Sequence, residues 1–165
     1  MYGLFAFVFQ NSFLLRGIIL FGFGIIIGSL LNIVIYRLPI ILNRQWQKDC
    51  ALLLEIDHSK LALGDEEITL IHPSSHCQTC KAKIPFWANI PILGYFLLNG
   101  KCFSCKTNIS KRYPLVELVT GLLFVIAGYY SNDAIILPAH LIFISFVLSL
   151  ILIDYDTMLL PDELT

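Results

Sequence analysis

Between Arg16 and Arg37 the chain runs for twenty residues without a charged side chain, and no other feature limits its fold as much. As an α-helix, Gly17 to Tyr36 rises about 30 Å, the hydrocarbon thickness of a bilayer. Ala134 to Ile153 is a second uncharged run of twenty. Leu118 to Tyr130 is a third, of thirteen residues, and its helix has sixteen if it starts at Leu115. Pro114 suits that start, because its missing N–H is not needed in a first turn. Ser131-Asn132-Asp133 is a short polar link that makes the last two runs a helical hairpin. The spacing therefore predicts transmembrane helices over 14–38, 114–130 and 134–153.

Composition agrees. Hydrophobic residues make up 57% and charged residues 14%, against roughly 45–50% and about 25% in soluble domains. That excess of apolar surface excludes a disordered chain and argues against a water-soluble globule. The net charge of -1 supplies no positive field for nucleic acid, so no nucleic-acid partner is expected.

Ten of the eleven Lys and Arg residues lie between Arg37 and Arg112. Arg37, Arg44 and Lys48 follow the first span, and Lys106, Lys111 and Arg112 precede the second. The positive-inside rule then puts the loop 39–113 in the cytoplasm and the N-terminus outside. A cleaved signal peptide is the rival account of the N-terminus. It lacks a basic region before the apolar run and an Ala-x-Ala site. Met1 to Leu15 is apolar as well, and would extend the first helix outward.

Within the loop, Leu42, Trp46, Cys50 and Leu53 fall on one helical face, as in a helix lying on the membrane surface. Cys50 is then an apolar filler. Leu63 to Leu70 reads as an exposed turn leading to a short strand, with its acidic cluster solvated.

The loop also contains a repeat. Cys77-Gln-Thr-Cys80-Lys-Ala-Lys-Ile84 matches Cys102-Phe-Ser-Cys105-Lys-Thr-Asn-Ile109 at an offset of 25 residues. Two Cys-x-x-Cys knuckles complete a tetrahedral four-thiolate site, at a spacing close to that of zinc ribbons. Lys81, Lys83, Lys101 and Lys106 are near enough in sequence to offset its charge. A structural zinc is the favoured account, since four thiolates leave no open position for catalysis. Two disulfides conflict with a reducing cytoplasmic loop, and an iron centre or a dithiol redox pair is the third account. His72 and His76 are near the first pair and read as polar loop residues. The segment is too small to bury much core, so bound metal would supply folding energy. The expected fold is thus membrane all-α, with three transmembrane helices and an inserted small cytoplasmic zinc-ribbon-like loop domain, its four-cysteine module spanning 75–110.

Asp154 follows the last uncharged run, with Asp156 and Asp162 close behind. A carboxyl at that boundary is partly desolvated, which favours its neutral form, and a helix end there acts in the same direction. Two accounts stay open from position alone. The group is poised for acid–base chemistry, or all three aspartates mark where a helix meets water.

Three stretches together resemble the type IV prepilin leader peptidases, bifunctional membrane aspartic peptidases. The first is Gly28-Ser29-Leu30-Leu31-Asn32-Ile33-Val34-Ile35-Tyr36-Arg37-Leu38-Pro39. The second is the cysteine module with Pro91, Gly100-Lys101-Cys102 and Lys111-Arg112-Tyr113-Pro114-Leu115-Val116-Glu117-Leu118. The third is Ile153-Asp154 through Leu159-Leu160-Pro161-Asp162. The resemblance implies an enzyme of the bacterial inner membrane. Such enzymes cut the basic leader of prepilins and pseudopilins after a glycine, at the cytoplasmic face, and methylate the new N-terminus with S-adenosylmethionine. It implies that Asp154 is the first of two catalytic aspartates and that Asp156 and Asp162 are not catalytic. The methylation site falls around Gly28 to Pro39 and the cysteine module.

The family's second aspartate lies in a Gly-x-Gly-Asp motif on a later helix, and these 165 residues contain none. Gly64-Asp65 lies in the loop and does not qualify. The chain is therefore expected to be the amino-terminal half, with 154–165 opening the first catalytic motif. Alone it would be inactive as a peptidase, and a separately encoded carboxy-terminal half is a candidate partner. A non-catalytic, zinc-stabilised membrane docking module and a methyltransferase-only fragment are the alternatives. These three helices alone are expected to leave polar faces such as Ser29 and Asn32 unmatched in lipid, so that both would point at other helices, with the missing ones as candidates.

Overall fold

The computed structural model describes residues 13–55, 68–72, 74–131, 133 and 135–158. Its helices are α1 (Phe13–Leu53), a 3-10 turn (Phe86–Asn89), α2 (Leu93–Leu97), α3 (Arg112–Tyr130) and α4 (Ile136–Thr157). No strand occurs among the described residues. The cysteine region holds only two isolated bridges, His76 with Lys83 and Lys101 with Asn108. Three helices, α1, α3 and α4, are long and apolar enough to cross a membrane.

α1 and α3 form the main interface, antiparallel and very close. A Cβ on Gly24 would lie 2.7 Å from the Gly121 Cα, and one on Gly28 would lie 2.7 Å from the Glu117 Cα. One turn further on, the Asn32 Nδ2 donates to the Tyr113 carbonyl at 3.1 Å. Each step of four residues along α1 thus matches a step of four back along α3. Lipid tails are as apolar as leucine, so backbone approach at small residues is what holds such helices together. Leu20, Phe124, Ala127 and Leu141 pack one half of the core, and Leu31, Ile35, Val116 and Ile153 pack the other. α4 joins through Leu141, Ser149 and Ile153. Its Ser145, Ser149 and Thr157 hydroxyls donate to carbonyls four residues back, which satisfies them within the helix.

Two expectations need correction. No separate surface helix follows the first span, because α1 continues unbroken through Pro39 to Leu53. Pro39 removes one intrahelical hydrogen bond. The carbonyl it leaves without that donor belongs to Ile35, which is buried. Along the extension Leu42 is buried while Trp46 and Leu53 are exposed, and Cys50 is exposed rather than a filler. Second, Ser29 and Asn32 find their neighbours in α3: Asn32 at Tyr113, and Ser29 beside the Glu117 carboxylate. Of the strand expected near Leu70, residues 63–67 lie outside the described residues, as do 1–12. Thr69 and Leu70 instead offer their carbonyls to Arg37 at 3.0 and 3.1 Å.

Candidate functional site

The two Cys-x-x-Cys segments fold alike, as their repeat demands. In the first, the Lys81 N–H donates to the Cys77 carbonyl and the Cys77 N–H to that of Ala82, both at 2.9 Å. In the second, Lys106 N–H donates to Cys102 and Cys102 N–H to Thr107, at 3.1 and 2.8 Å. Lys81 and Lys106 close these turns with φ of 57° and 59°, a left-handed conformation that costs roughly 1–2 kcal/mol per non-glycine residue.

Both turns aim polar hydrogens at sulfur. The Cys77 thiol is pulled down by the N–H groups of Cys80 and Thr79. Cys105 is lowered to about 6, first by the Thr107 side chain and then by the Thr107 N–H. The Thr107 hydroxyl lies 3.2 Å from the Cys105 sulfur. Cys80 behaves oppositely. The Ala82 N–H lowers it, but desolvation and the neighbouring thiols outweigh that and push it up to about 11.

The four Sγ atoms all lie within 4.8 Å of one another. Cys77 and Cys105 are 3.7 Å apart, and Cys80 and Cys102 are 4.0 Å apart. A tetrahedral Zn–S length of about 2.3 Å implies sulfur–sulfur edges of about 3.8 Å, so this donor set fits a four-thiolate metal ion. All four are free thiols. His72 and His76 are not in the group. The His76 Nδ1 lies 2.9 Å from the Ser74 carbonyl instead.

Asp154 is not covered by other described residues. Its backbone carbonyl accepts the Met158 N–H at 2.8 Å where α4 ends. Arg112, the first residue of α3, brackets this segment. Its Nη1 pairs with Asp156 at 2.6 Å and its Nη2 donates to the Leu152 carbonyl at 3.3 Å. α3 begins soon after the second cysteine pair, so Asp154 and the cysteine module stand at the same end of the bundle. At the other end, Arg16 donates to the Ser131 carbonyl, and the Ser131 hydroxyl lies 2.6 Å from His140. Asp162 lies outside the described residues.

Glu117 is a buried ionisable residue to which its sequence position alone gives no role. It is buried within α3, and its Oε2 accepts the Ile92 N–H at 2.7 Å. The signal was present, since an ionisable side chain inside an apolar span marks a site by default.

Residues 22–131 match the family described as the bacterial peptidase A24 N-terminal domain. The chain is similar to the prepilin leader peptidase/N-methyltransferase of Neisseria gonorrhoeae, 43% identical over 145 residues, covering 86% of this chain and 49% of that protein. The same-named protein of Legionella pneumophila is 41% identical over 87% of this chain and 49% of its own length. That of Klebsiella pneumoniae is 40% identical, over 92% and 58%. The chain spans about half the length of the curated relatives it matches. No solved structure matches it.

Proposed function

The chain belongs to the bacterial peptidase A24 family through its N-terminal domain, and from that premise we propose that it is the amino-terminal part of a prepilin leader peptidase/N-methyltransferase. In this proposal the module of 75–110 sits within a cytoplasmic loop of 39–113. The spans of 14–38, 114–130 and 134–153 cross the bacterial inner membrane, with the N-terminus outside. The observation that carries the proposal is the Arg112 bracket, which keeps the Asp154 segment at the end of the bundle where the cysteine module stands. A prepilin leader reaching that face would meet both.

Asp154 is proposed as one of two catalytic carboxyls. Peptide hydrolysis by such a pair needs one ionised aspartate to take a proton from water and one neutral aspartate to protonate the scissile carbonyl. Two carboxyls a few ångströms apart share one proton, which supplies both forms. The partner carboxyl is proposed to come from the part of the relatives that this chain does not cover, so cleavage needs both parts. Exposure of Asp154 among the described residues suits a group that faces a partner.

Cys77, Cys80, Cys102 and Cys105 would hold a structural zinc, whose contribution is folding energy for a module with little core. The second reaction, methylation of the newly exposed amine, is proposed to draw on S-adenosylmethionine.

The test is leader cleavage in membranes, with this chain alone and with it co-expressed beside the uncovered half of a relative. Cleavage only in the combined sample, lost in Asp154→Asn, is the expected result. Undiminished cleavage by Asp154→Asn in the combined sample would overturn the assignment.

A further inference from the structure

Between the two cysteine pairs the chain forms a helical corner, 86–97, rich in uncovered apolar side chains. Leu93, Phe96 and Leu97 share one face of α2 and are 60%, 67% and 66% exposed, and Phe86 is 90% exposed. A contiguous apolar surface of this kind marks an interaction site.

Its level is set by the bond from Ile92 to Glu117. Glu117 lies five residues into α3, about 7.5 Å along the helix axis from its start. α2 therefore begins alongside a membrane span, not above it. At the same depth α3 also exposes Leu115 and Leu118. Lysines surround the corner in sequence at 81, 83, 101, 106 and 111. The Lys106 Nζ lies 5.7 Å from the ring centroid of Phe103, and Phe103 packs edge-on against Trp87. Apolar and aromatic side chains flanked by lysines match the headgroup–acyl boundary of an anionic membrane, which receives such surfaces at depths of roughly 5–10 Å.

We infer that the corner 86–97 rests in the interfacial layer of the bilayer that the spans cross, making the cysteine module a membrane-seated unit. This rests on the membrane reading of α1, α3 and α4 and not on peptidase activity.

Trp46 and Trp87 are the only tryptophans, so Trp46→Phe isolates Trp87. The full chain is reconstituted in phosphatidylcholine–phosphatidylglycerol vesicles. Quenching by lipid brominated near the headgroup is compared with quenching by lipid brominated near the bilayer centre and by aqueous acrylamide. The expected result is loss of about half the Trp87 fluorescence to the shallow bromines, with weaker response to the other two quenchers. Phe96→Trp, placed in a chain lacking both native tryptophans, should behave alike. Phe146→Trp in the same background should respond to the deep bromines and so report insertion of the spans. Strong acrylamide quenching without a bromolipid response would put the corner in water. Response to neither quencher would mean that another polypeptide covers it. Either result overturns the inference, and a Phe146→Trp probe silent to deep bromines removes its membrane premise.

Discussion

The Glu117 carboxyl, inside a membrane helix, accepts the backbone N–H of Ile92 at 2.7 Å, and this joins the span to the segment between the cysteine pairs. Ile92 has φ 59° and ψ -54°, and the Leu93 N–H donates across it to the Pro91 carbonyl at 2.6 Å. A γ-turn with positive φ at a β-branched residue is strained by roughly 1–3 kcal/mol. A hydrogen bond to this donor is of the size that offsets part of such strain.

Replacing Glu117 by alanine should therefore cost about 1–3 kcal/mol, because a partly buried donor loses its acceptor. Glu117→Gln keeps an acceptor oxygen and should lose less. Thermal unfolding in detergent gives the ranking, and amide exchange at Ile92 gives the locus. Equal stability of Glu117→Ala and the parent would show that the turn holds without its clamp.

Glycines along α1 should differ sharply in tolerance. Gly28→Ala drives a Cβ to within 2.7 Å of the Glu117 backbone, and overpacking of that kind costs roughly 1–3 kcal/mol. Gly22 has nothing within 4 Å of its Cβ position, so Gly22→Ala should be neutral or slightly stabilising. Paired melting curves of the two variants decide it.

The thiols should react in a fixed order once metal is removed. Cys105, lowered to about 6, is largely thiolate at neutral pH. Cys80, raised to about 11, stays protonated there. Alkylation of Cys105 should rise as pH climbs through about 6 and then level off, while Cys80 stays slow until strongly alkaline pH. Mass spectrometry after short iodoacetamide pulses reads both profiles. Zinc, at about one ion per chain, should protect all four cysteines until a chelator strips it.

Arg112 and Asp156 form an ion pair about one-third exposed on each side, and water screens such pairs to about 0–1 kcal/mol. A double-mutant cycle of Arg112→Ala and Asp156→Ala should return a coupling in that range. Arg112→Ala alone should cost more than Asp156→Ala, because it also gives up the bond to the Leu152 carbonyl.

The membrane helices were legible because long apolar runs carry few charges, and Arg16, Arg37, Arg112 and Asp154 mark the edges. The cysteine cluster was legible because the two knuckles repeat both residues and hydrogen bonds. The run of α1 past Pro39 was not, since a proline inside a helix ordinarily kinks or ends it. The partners of Ser29 and Asn32 were missed for a different reason. Gly24-x-x-x-Gly28 is a helix-packing signal, and it brings α3 close enough to meet both side chains. What packs around Asp154 at the end of α4 is not carried by local sequence.

The four-residue matching of α1 against α3 also restricts how the gene can change. Inserting one codon between those for Gly24 and Gly28 would swing everything beyond it by about 100°. A bulky neighbour would then replace the glycine that meets Glu117, and Asn32 would leave Tyr113. Length changes in this protein should therefore accumulate in the stretches joining its helices, while the glycine-bearing segments drift only by substitution.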